Sequence, residues 1–112
     1  MAFTSARLNA ALDGAVANVT HAQLHTGAPG GAGTSNVAAG VDRVAGTFAA
    51  ASGGSTTASF SFTIPAAGGP FTHVTLFNAA TGGTFQGDGT LTPQETFAGA
   101  GTLDVTVTAT AS

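Results

Sequence analysis

Residues 60–87 read FSFTIPAAGGPFTHVTLFNAATGGTFQG, and the rest of the chain can be understood from their pattern. Phe60, Phe62 and Ile64 alternate with small polar residues, which is the period of a half-buried strand. The proline and glycines that follow end this strand, because proline cannot donate to a ladder and glycine supplies turn backbone. A second strand is predicted over residues 72–78, and a third returns after the turn AATGG. Since five of the eight phenylalanines lie in this stretch, we expect a β meander that holds most of the core.

The remaining β segments extend this pattern to both ends of the chain. Residues 102–110 have the cleanest alternation, with Leu103 and Val105 among the apolar residues on one side and mainly threonine on the other. Such a strand has one face on the core and one in water or against a polar partner. Residues 19–26 have no cleanly apolar face, so we expect that strand to lie between the core and a neighbour. With a short strand at 43–49, about seven strands predict a mainly β protein, a small antiparallel β-sandwich or jelly-roll-like domain.

Three segments differ from this β pattern. Apolar residues at helical spacing predict one short N-terminal helix, about residues 4–13, which begins at a Thr-Ser cap and ends at Gly14. Residues 27–40 form a Gly-rich arm, and segments of this length are often interaction arms or lids. A second loop is predicted after residue 87, where Asp-Gly and Pro93 interrupt the pattern. With no break in character, residues 1–112 are expected to be a single β domain.

The charge content of the chain is unusually low. Only 6% of the residues are charged, against about 25% in ordinary soluble proteins, and lysine is absent. A free-standing β domain usually protects its edge strands with charge, lysine above all. Either much of this surface lies against other subunits, or a neutral Thr/Ser/Gly-rich surface is soluble unaided. We favour assembly, because a neutral β surface with open edges tends to pair with itself.

Composition also bears on the classes of partner. A net charge of −3 with Arg7 and Arg43 as the strong cations argues against a nucleic-acid partner. The apolar runs are shorter than the 18–20 or so residues of a membrane span, so a membrane partner is not expected. The glycine clusters lack the strand-to-helix context of phosphate loops and read as turns. We expect no cofactor.

Histidine spacing does not favour a metal centre. His21 and His25 lie four residues apart on a predicted strand, about 13 Å at 3.3 Å per residue. Zinc needs its ligands at about 2.0–2.1 Å, so the two imidazoles cannot share one ion there, even with His73 as a third candidate. We expect these histidines to hydrogen-bond locally or to pack at an interface.

No catalytic arrangement is recognisable either. The nucleophile elbow G-x-S-x-G is missing, and a hydroxyl, an imidazole and a carboxylate scattered through a chain are not a triad. An acidic pair for sugar hydrolysis would want aromatic platforms, yet Trp and Tyr are absent. We expect the protein not to be an enzyme. The residues predicted to contact other subunits are Arg43, His25, Thr102, Thr106 and Thr108.

At this level of detail the chain resembles a known group of proteins. The order of SARLNAALDG, THAQLHTGAPGGAG, FTIPA and FTHVTLFNAATGGTFQGDGTLTPQETF resembles small virion proteins of tailed bacteriophages, covering nearly the whole chain. These are known as minor capsid or decoration proteins and as tail-fibre or minor tail proteins. THVTLFNAATGG combined with LHTGAPG is the most specific part. The family's Tyr-Ala-Arg-like segment is replaced here by VDRV, residues 41–44.

The resemblance implies a non-enzymatic structural protein of the virion, assembled in the host cytoplasm. The expectation is a minor capsid or decoration protein, a homotrimer or similar small ring that cements the head by contacts with the major capsid protein. The alternative is a tail-fibre or tail-tip module that binds other tail proteins or host-surface glycans. The arm at residues 27–40 and the strand at residues 102–110 are the segments expected to contact other subunits.

Overall fold

The computed structural model describes residues 4–110 as one helix and six strands. Their bounds are α1 (Ser5–Val16), β1 (His21–His25), β2 (Val44–Ala45), β3 (Ser55–Ile64), β4 (Gly68–Phe77), β5 (Phe85–Phe97) and β6 (Gly101–Thr110). The predicted class, mainly β with one short helix, is therefore confirmed. Six strands in the described range fall short of the eight of a jelly roll.

The helix α1 begins where the sequence predicts but runs further. The Thr4 hydroxyl accepts a hydrogen bond from the backbone N–H of Arg7 at 3.3 Å, so Thr4 is the N-cap. The predicted end at Gly14 is wrong, because Gly14 takes helical backbone and the helix continues to Val16. A glycine inside a helix costs only about 1 kcal/mol relative to alanine, which neighbouring turns can offset. Within residues 4–110, α1 is the one helix, and with 12 residues it is not long and apolar enough to cross a membrane.

Packing of α1 on the sheets is mostly polar. Leu12 is its buried side chain. Two side chains of α1 accept hydrogen bonds from backbone N–H groups of the loop before β3: Asn9 Oδ1 from Gly54 at 2.9 Å, and Asp13 Oδ1 from Ala51 at 2.7 Å. These bonds fix the helix against the entrance to β3 with little apolar contact.

The strands form two antiparallel sheets that share one core. The larger sheet has the order β2-β1-β4-β5, and β3 pairs with β6 in a two-stranded ribbon. Side chains from both sheets form a single buried cluster, to which β3 contributes Phe60, Phe62 and Ile64. The cluster also contains Ala22, Leu24, Ala38, Val41, Ala58, Phe71, Val74, Leu103 and Val105.

The ribbon is regular along its whole length. Alternate residues of β3 are buried from Thr56 to Ile64, and β6 buries Leu103 and Val105, as the period of two predicts. Ten consecutive pairs join the two strands without a register shift, from Ser55 with Thr110 to Ile64 with Gly101. The other face of the ribbon is exposed.

The loop predicted after residue 87 is wrong, because these residues form β5, thirteen residues long. Its pairing with β4 is irregular. Between the pair His73–Thr90 and the pair Phe71–Glu95, β4 advances by two residues but β5 by five. The extra residues form a bulge around Pro93. Only Phe85, Gly87, Leu91 and Phe97 of β5 are partly buried. A strand exposed this far lacks a clear hydrophobic alternation, so it is held extended mainly by its pairing with β4, while Leu91 and Phe97 pack against the core.

Candidate functional site

The face of the larger sheet that points away from the ribbon is covered by the chain itself. This outer face carries His21, Gln23 and His25 of β1 opposite Phe77, Thr75 and His73 of β4, in that order. The arm, residues 27–40, leaves β1 and returns along it, with an isolated bridge between His25 and Val37. The strand at residues 21–25 therefore lies between the core and a neighbour, as predicted, and that neighbour is the arm.

His25 connects the arm to the sheet. Its side chain is 0% exposed. The ring atom Nδ1 lies 2.8 Å from the carbonyl oxygen of Ser35, and Nε2 lies 2.7 Å from the hydroxyl of Thr75. Because a carbonyl can only accept, Nδ1 carries the proton, and in the neutral ring Nε2 accepts from Thr75. In this conformation the imidazole is not accessible to another chain.

Burial also sets the charge state of His25. Desolvation lowers the pKa of His25 below its ordinary value, and the nearby His73 and Arg43 lower it further, while the bond to the Ser35 carbonyl opposes the shift. The neutral imidazole is therefore the form that the folded protein favours. This is the form in which Nε2 can accept a hydrogen bond from the Thr75 hydroxyl.

Gln23, next along the same face, binds the segment that follows the arm. Its side-chain nitrogen donates to the carbonyl of Val41 at 3.0 Å, and Gln23 is itself buried. Thr75 is fully buried beside it. Sequence reasoning missed Gln23 and Thr75, although both alternate with histidines on one predicted face, a pattern that indicates a polar layer.

Arg43 closes the other side of the covered face. Its guanidinium carbon lies 3.7 Å from the centre of the Phe77 ring, and Nη1 donates to the carbonyls of Ala79 at 3.0 Å and Gly82 at 2.7 Å. Desolvation lowers the pKa of the Arg43 guanidinium, although the group stays charged at any ordinary pH. Arg43 thus clamps the turn between β4 and β5 from within its own chain.

Gly33 shows how closely the tip of the arm lies on β5. Its φ is +70°, and a Cβ built there would lie 2.5 Å from Cδ1 of Phe85. The Phe85 ring packs on Phe77 with centroids 5.8 Å apart. The tip of the arm, two aromatic rings and Arg43 therefore form one packed layer, and the arm does not project from the fold as expected of an interaction arm.

The threonines predicted as contacts lie on the exposed face of the ribbon. Thr102, Thr106 and Thr108 are all exposed, and they pair with Thr63, Ser59 and Thr57 of β3. Asp104 on the same face accepts a hydrogen bond from Ser61 at 2.5 Å. The result is a two-stranded ladder of hydroxyl side chains with one carboxylate.

A cleft separates β6 from the bulge of β5. Its volume is about 290 Å³, and it is lined by Thr90, Leu91, Thr92, Pro93 and Glu95 of β5 and Leu103, Asp104, Val105 and Thr106 of β6. Across residues 4–110, β6 pairs with β3 on one side only, and its other side borders this cleft. We call that unpaired side of Gly101–Thr110 the β6 edge.

The five residues predicted at interfaces thus fall into two groups. His25 and Arg43 both lie on the covered outer face, at opposite ends of the pair formed by β1 and β4, and Thr102, Thr106 and Thr108 lie together on the ribbon. Their roles in contacts between subunits stay predictions. Within residues 4–110, no three histidine and acidic side chains lie close enough to hold a metal ion. His25 and His73 are opposite each other, while His21 lies at the far end of β1.

Comparison with known protein families assigns the chain to one of them. A family model described as Podophage GP4 fiber I protein gp80 matches residues 3–111. Neither the curated proteins nor the solved structures contain a match to the chain. The match covers nearly the whole sequence, and it confirms the resemblance to virion proteins of tailed phages. The chain belongs to the Podophage GP4 fiber I protein gp80 family and is a structural component of the phage virion, of the fibre or tail class.

Proposed function

We propose that this protein is a structural module of a phage tail fibre, which holds copies of itself and other tail proteins together without catalysing a reaction. The observation that carries the proposal is the match to a fibre family over residues 3–111. That match supports the tail-fibre alternative better than the head-cementing role expected from the sequence. A position in the fibre also fits a chain with 6% charged residues, whose solubility depends on covered surfaces.

The described surfaces suit contacts of this kind. The hydroxyl ladder of the ribbon offers many weak hydrogen bonds, and the β6 edge offers backbone donors and acceptors. Single contacts of this type are weak, but several copies bound at once gain avidity. The oligomer in this proposal is the one expected from the sequence, a homotrimer or a similar small ring.

Copy number and location test the proposal. Quantitative mass spectrometry of purified virions is expected to find a small number of copies relative to the major capsid protein. Antibodies against the chain are expected to label the tail in electron micrographs. Hundreds of copies per particle with label on the head would support the decoration role and overturn the fibre proposal.

A contact with host-surface glycans is a separate matter. Purified protein added to host cells would compete with virions for adsorption if the module itself touches the receptor. We expect no competition, because the module acts as a connector. Strong competition at micromolar protein would move the proposal from connector to receptor-binding module.

A further inference from the structure

The two outer strands that border the cleft are unequal in their protection against pairing. In β5, the bulge at residues 91–94 breaks the ladder, Pro93 has no backbone N–H, and Asp88 and Glu95 add two charges. Bulges, prolines and charges are the devices by which natural proteins keep edge strands from pairing with other chains. The β5 side is therefore a protected edge.

The β6 edge has almost none of these devices. Gly101–Thr110 is ten residues long, pairs with β3 without a register shift, and contains neither proline nor lysine. Its single charge is Asp104, and that carboxylate is bonded to Ser61 on the exposed face. The bulge of β5 leaves the cleft of about 290 Å³ open beside the middle of the strand. A long, regular edge with a single charge is a template for another strand.

We propose that the β6 edge pairs antiparallel with the β6 edge of a second copy of this chain, so that two ribbons join into one four-stranded sheet. The inference rests on the proposed self-association and names the surface through which it occurs. A second copy is the occupant because the edge is self-complementary: an antiparallel copy of β6 places apolar residues opposite apolar residues along the strand.

The pleat of the strand restricts the register of this pair. Residues directly opposite in an antiparallel pair point to the same face, and a shift by one residue would turn apolar residues outward. The inward set is Leu103, Val105, Val107 and Ala109, of which Val107 and Ala109 are only partly buried in the single chain. Registers centred on a residue of β6 keep this set inward in both copies and cover Val107 and Ala109 further.

Repulsion between the Asp104 carboxylates of the two copies favours some of these registers over others. A pair centred on Asp104 would place two carboxylates opposite each other, which is unfavourable. A pair centred on Val105 leaves the two carboxylates as diagonal neighbours. A pair centred on Thr106 places each Asp104 opposite Thr108 of the other copy and separates the carboxylates by about 13 Å along the strand. Of the registers that separate the carboxylates by this distance or more, the one centred on Thr106 pairs the largest part of β6. The pairing is therefore centred on Thr106, with Val105 opposite Val107.

The symmetry of this contact has a consequence for stoichiometry. The pair is isologous, because the same residues of both copies meet across a two-fold axis. It joins single chains into dimers, or complete trimers into hexamers. In either case, loss of the contact halves the mass of the particle.

Lysine substitutions test the position of the axis. In T106K the new lysines of the two copies face each other, and we expect self-association to weaken by about fivefold or more. Light scattering at a protein concentration near the dissociation constant of the unsubstituted protein should then give an average mass closer to that of the separated units. The matched control is S59K, since Ser59 is the exposed β3 partner of Thr106 and lies one strand away from the edge. S59K is expected to keep the mass of the unsubstituted protein. Equal behaviour of the two variants would overturn the inference.

A charge swap tests the register itself. In T108D each new carboxylate lies opposite Asp104 of the other copy, so we expect weaker association. Adding D104K turns that repulsion into attraction, and the double variant is expected to regain the original mass. Circular dichroism would check that each variant keeps its β spectrum. A double variant as weak as T108D would contradict the register centred on Thr106.

Cross-linking gives a readout independent of charge. The chain has no cysteine, so a single T106C substitution can be oxidised without competing thiols. We expect a disulfide-linked dimer from T106C and little from S59C. If T106C does not cross-link while the protein still self-associates, the β6 inference is lost and the fibre proposal stands. If the chain is monomeric at all concentrations, self-association is lost, and location in the virion still decides the fibre role.

Discussion

At the scale of single residues, His25 makes the stability of the fold depend on pH. Burial lowers the pKa of His25 in the folded chain, while the unfolded chain has the ordinary value of about 6.5. Below that pH the unfolded state binds more protons at this position than the folded state, so the free energy of unfolding falls as the pH falls. Above it, both states are neutral and the effect disappears.

The prediction is a loss of stability between about pH 6.5 and the lowered pKa of the folded state. Urea unfolding at several pH values would measure it. In H25N the side-chain amide can still donate to the Ser35 carbonyl but does not titrate, so its stability should vary less with pH. The matched control is H21N, because His21 lies on the same strand and is only partly buried. A pH dependence unchanged in H25N would contradict this assignment.

Arg43 gives a second prediction at this scale. A guanidinium can lie flat on the Phe77 ring and still donate to two carbonyls, whereas an ammonium group cannot do both. We expect R43K to lower the free energy of unfolding by about 1 kcal/mol and R43A by about 2 kcal/mol. Thermal unfolding would measure both.

The control for Arg43 is R7K on the exposed surface of α1. Its stability should match that of the unsubstituted protein, since exposed cations contribute little. Equal effects of R43K and R7K would show that the Phe77 contact does not stabilise the fold.

At the scale of elements, the same substitution has opposite effects in α1 and in the arm. G14A places a methyl group in open space on a helical backbone, and we expect a gain of about 0.5–1 kcal/mol. G33A places it against Phe85 at a positive φ, where the backbone alone costs about 1–2 kcal/mol and the clash adds to that cost. Chemical denaturation of the two variants would compare them. A stabilised G33A would mean that the tip of the arm does not lie on β5.

The elements also show how far sequence could predict this fold. β3 and β6 were predictable because each buries one face, so Phe60, Phe62, Leu103 and Val105 fall on alternate positions. The beginning of β5 was predicted as the strand that returns after the turn, but the part beyond residue 87 was not, because its residues are held extended by pairing with β4 rather than by their own pattern. The residues of an exposed strand carry little information about its pairing, even where the partner is the preceding strand.

The covered outer face was predictable only in part. Histidines and Gln23 on one strand face indicated a polar layer, and the length of the arm indicated a cover. The arm is joined to this polar layer by the hydrogen bond from His25 to the Ser35 carbonyl. That carbonyl is a backbone group, which side-chain patterns do not reveal. The sequence predicts Arg43 as a contact residue between subunits, and it could not reveal that Arg43 also binds a ring and two carbonyls of its own chain.

At the scale of the whole molecule, low charge predicts association that resists salt. The contacts proposed here are backbone hydrogen bonds and apolar side chains, and the chain has only two Lys or Arg residues for ion pairs with acidic partners. Salt at about 1 M screens charges within about 3 Å, yet affects such contacts little. Light scattering at about 0.05 M and about 1 M salt should give the same mass. Dissociation at high salt would mean that ion pairs hold the assembly.

The molecule is also elongated, with principal extents of 49 × 25 × 21 Å. Its radius of gyration is 14.7 Å, against about 13 Å for an average domain of this length. A ten-residue strand spans about 33 Å, so the strands account for much of the long dimension. Copies joined through β6 would therefore lie side by side.

The polar attachment of α1 has a consequence for how the molecule opens. Leu12 is its only buried side chain, and Asn9 and Asp13 reach backbone groups that water could solvate equally well. The amides of α1 should therefore exchange with deuterium before those of β3 and β6. The N-terminal helix can detach and return while the sheets stay closed, which would let a fibre flex at that end without unfolding its β domain.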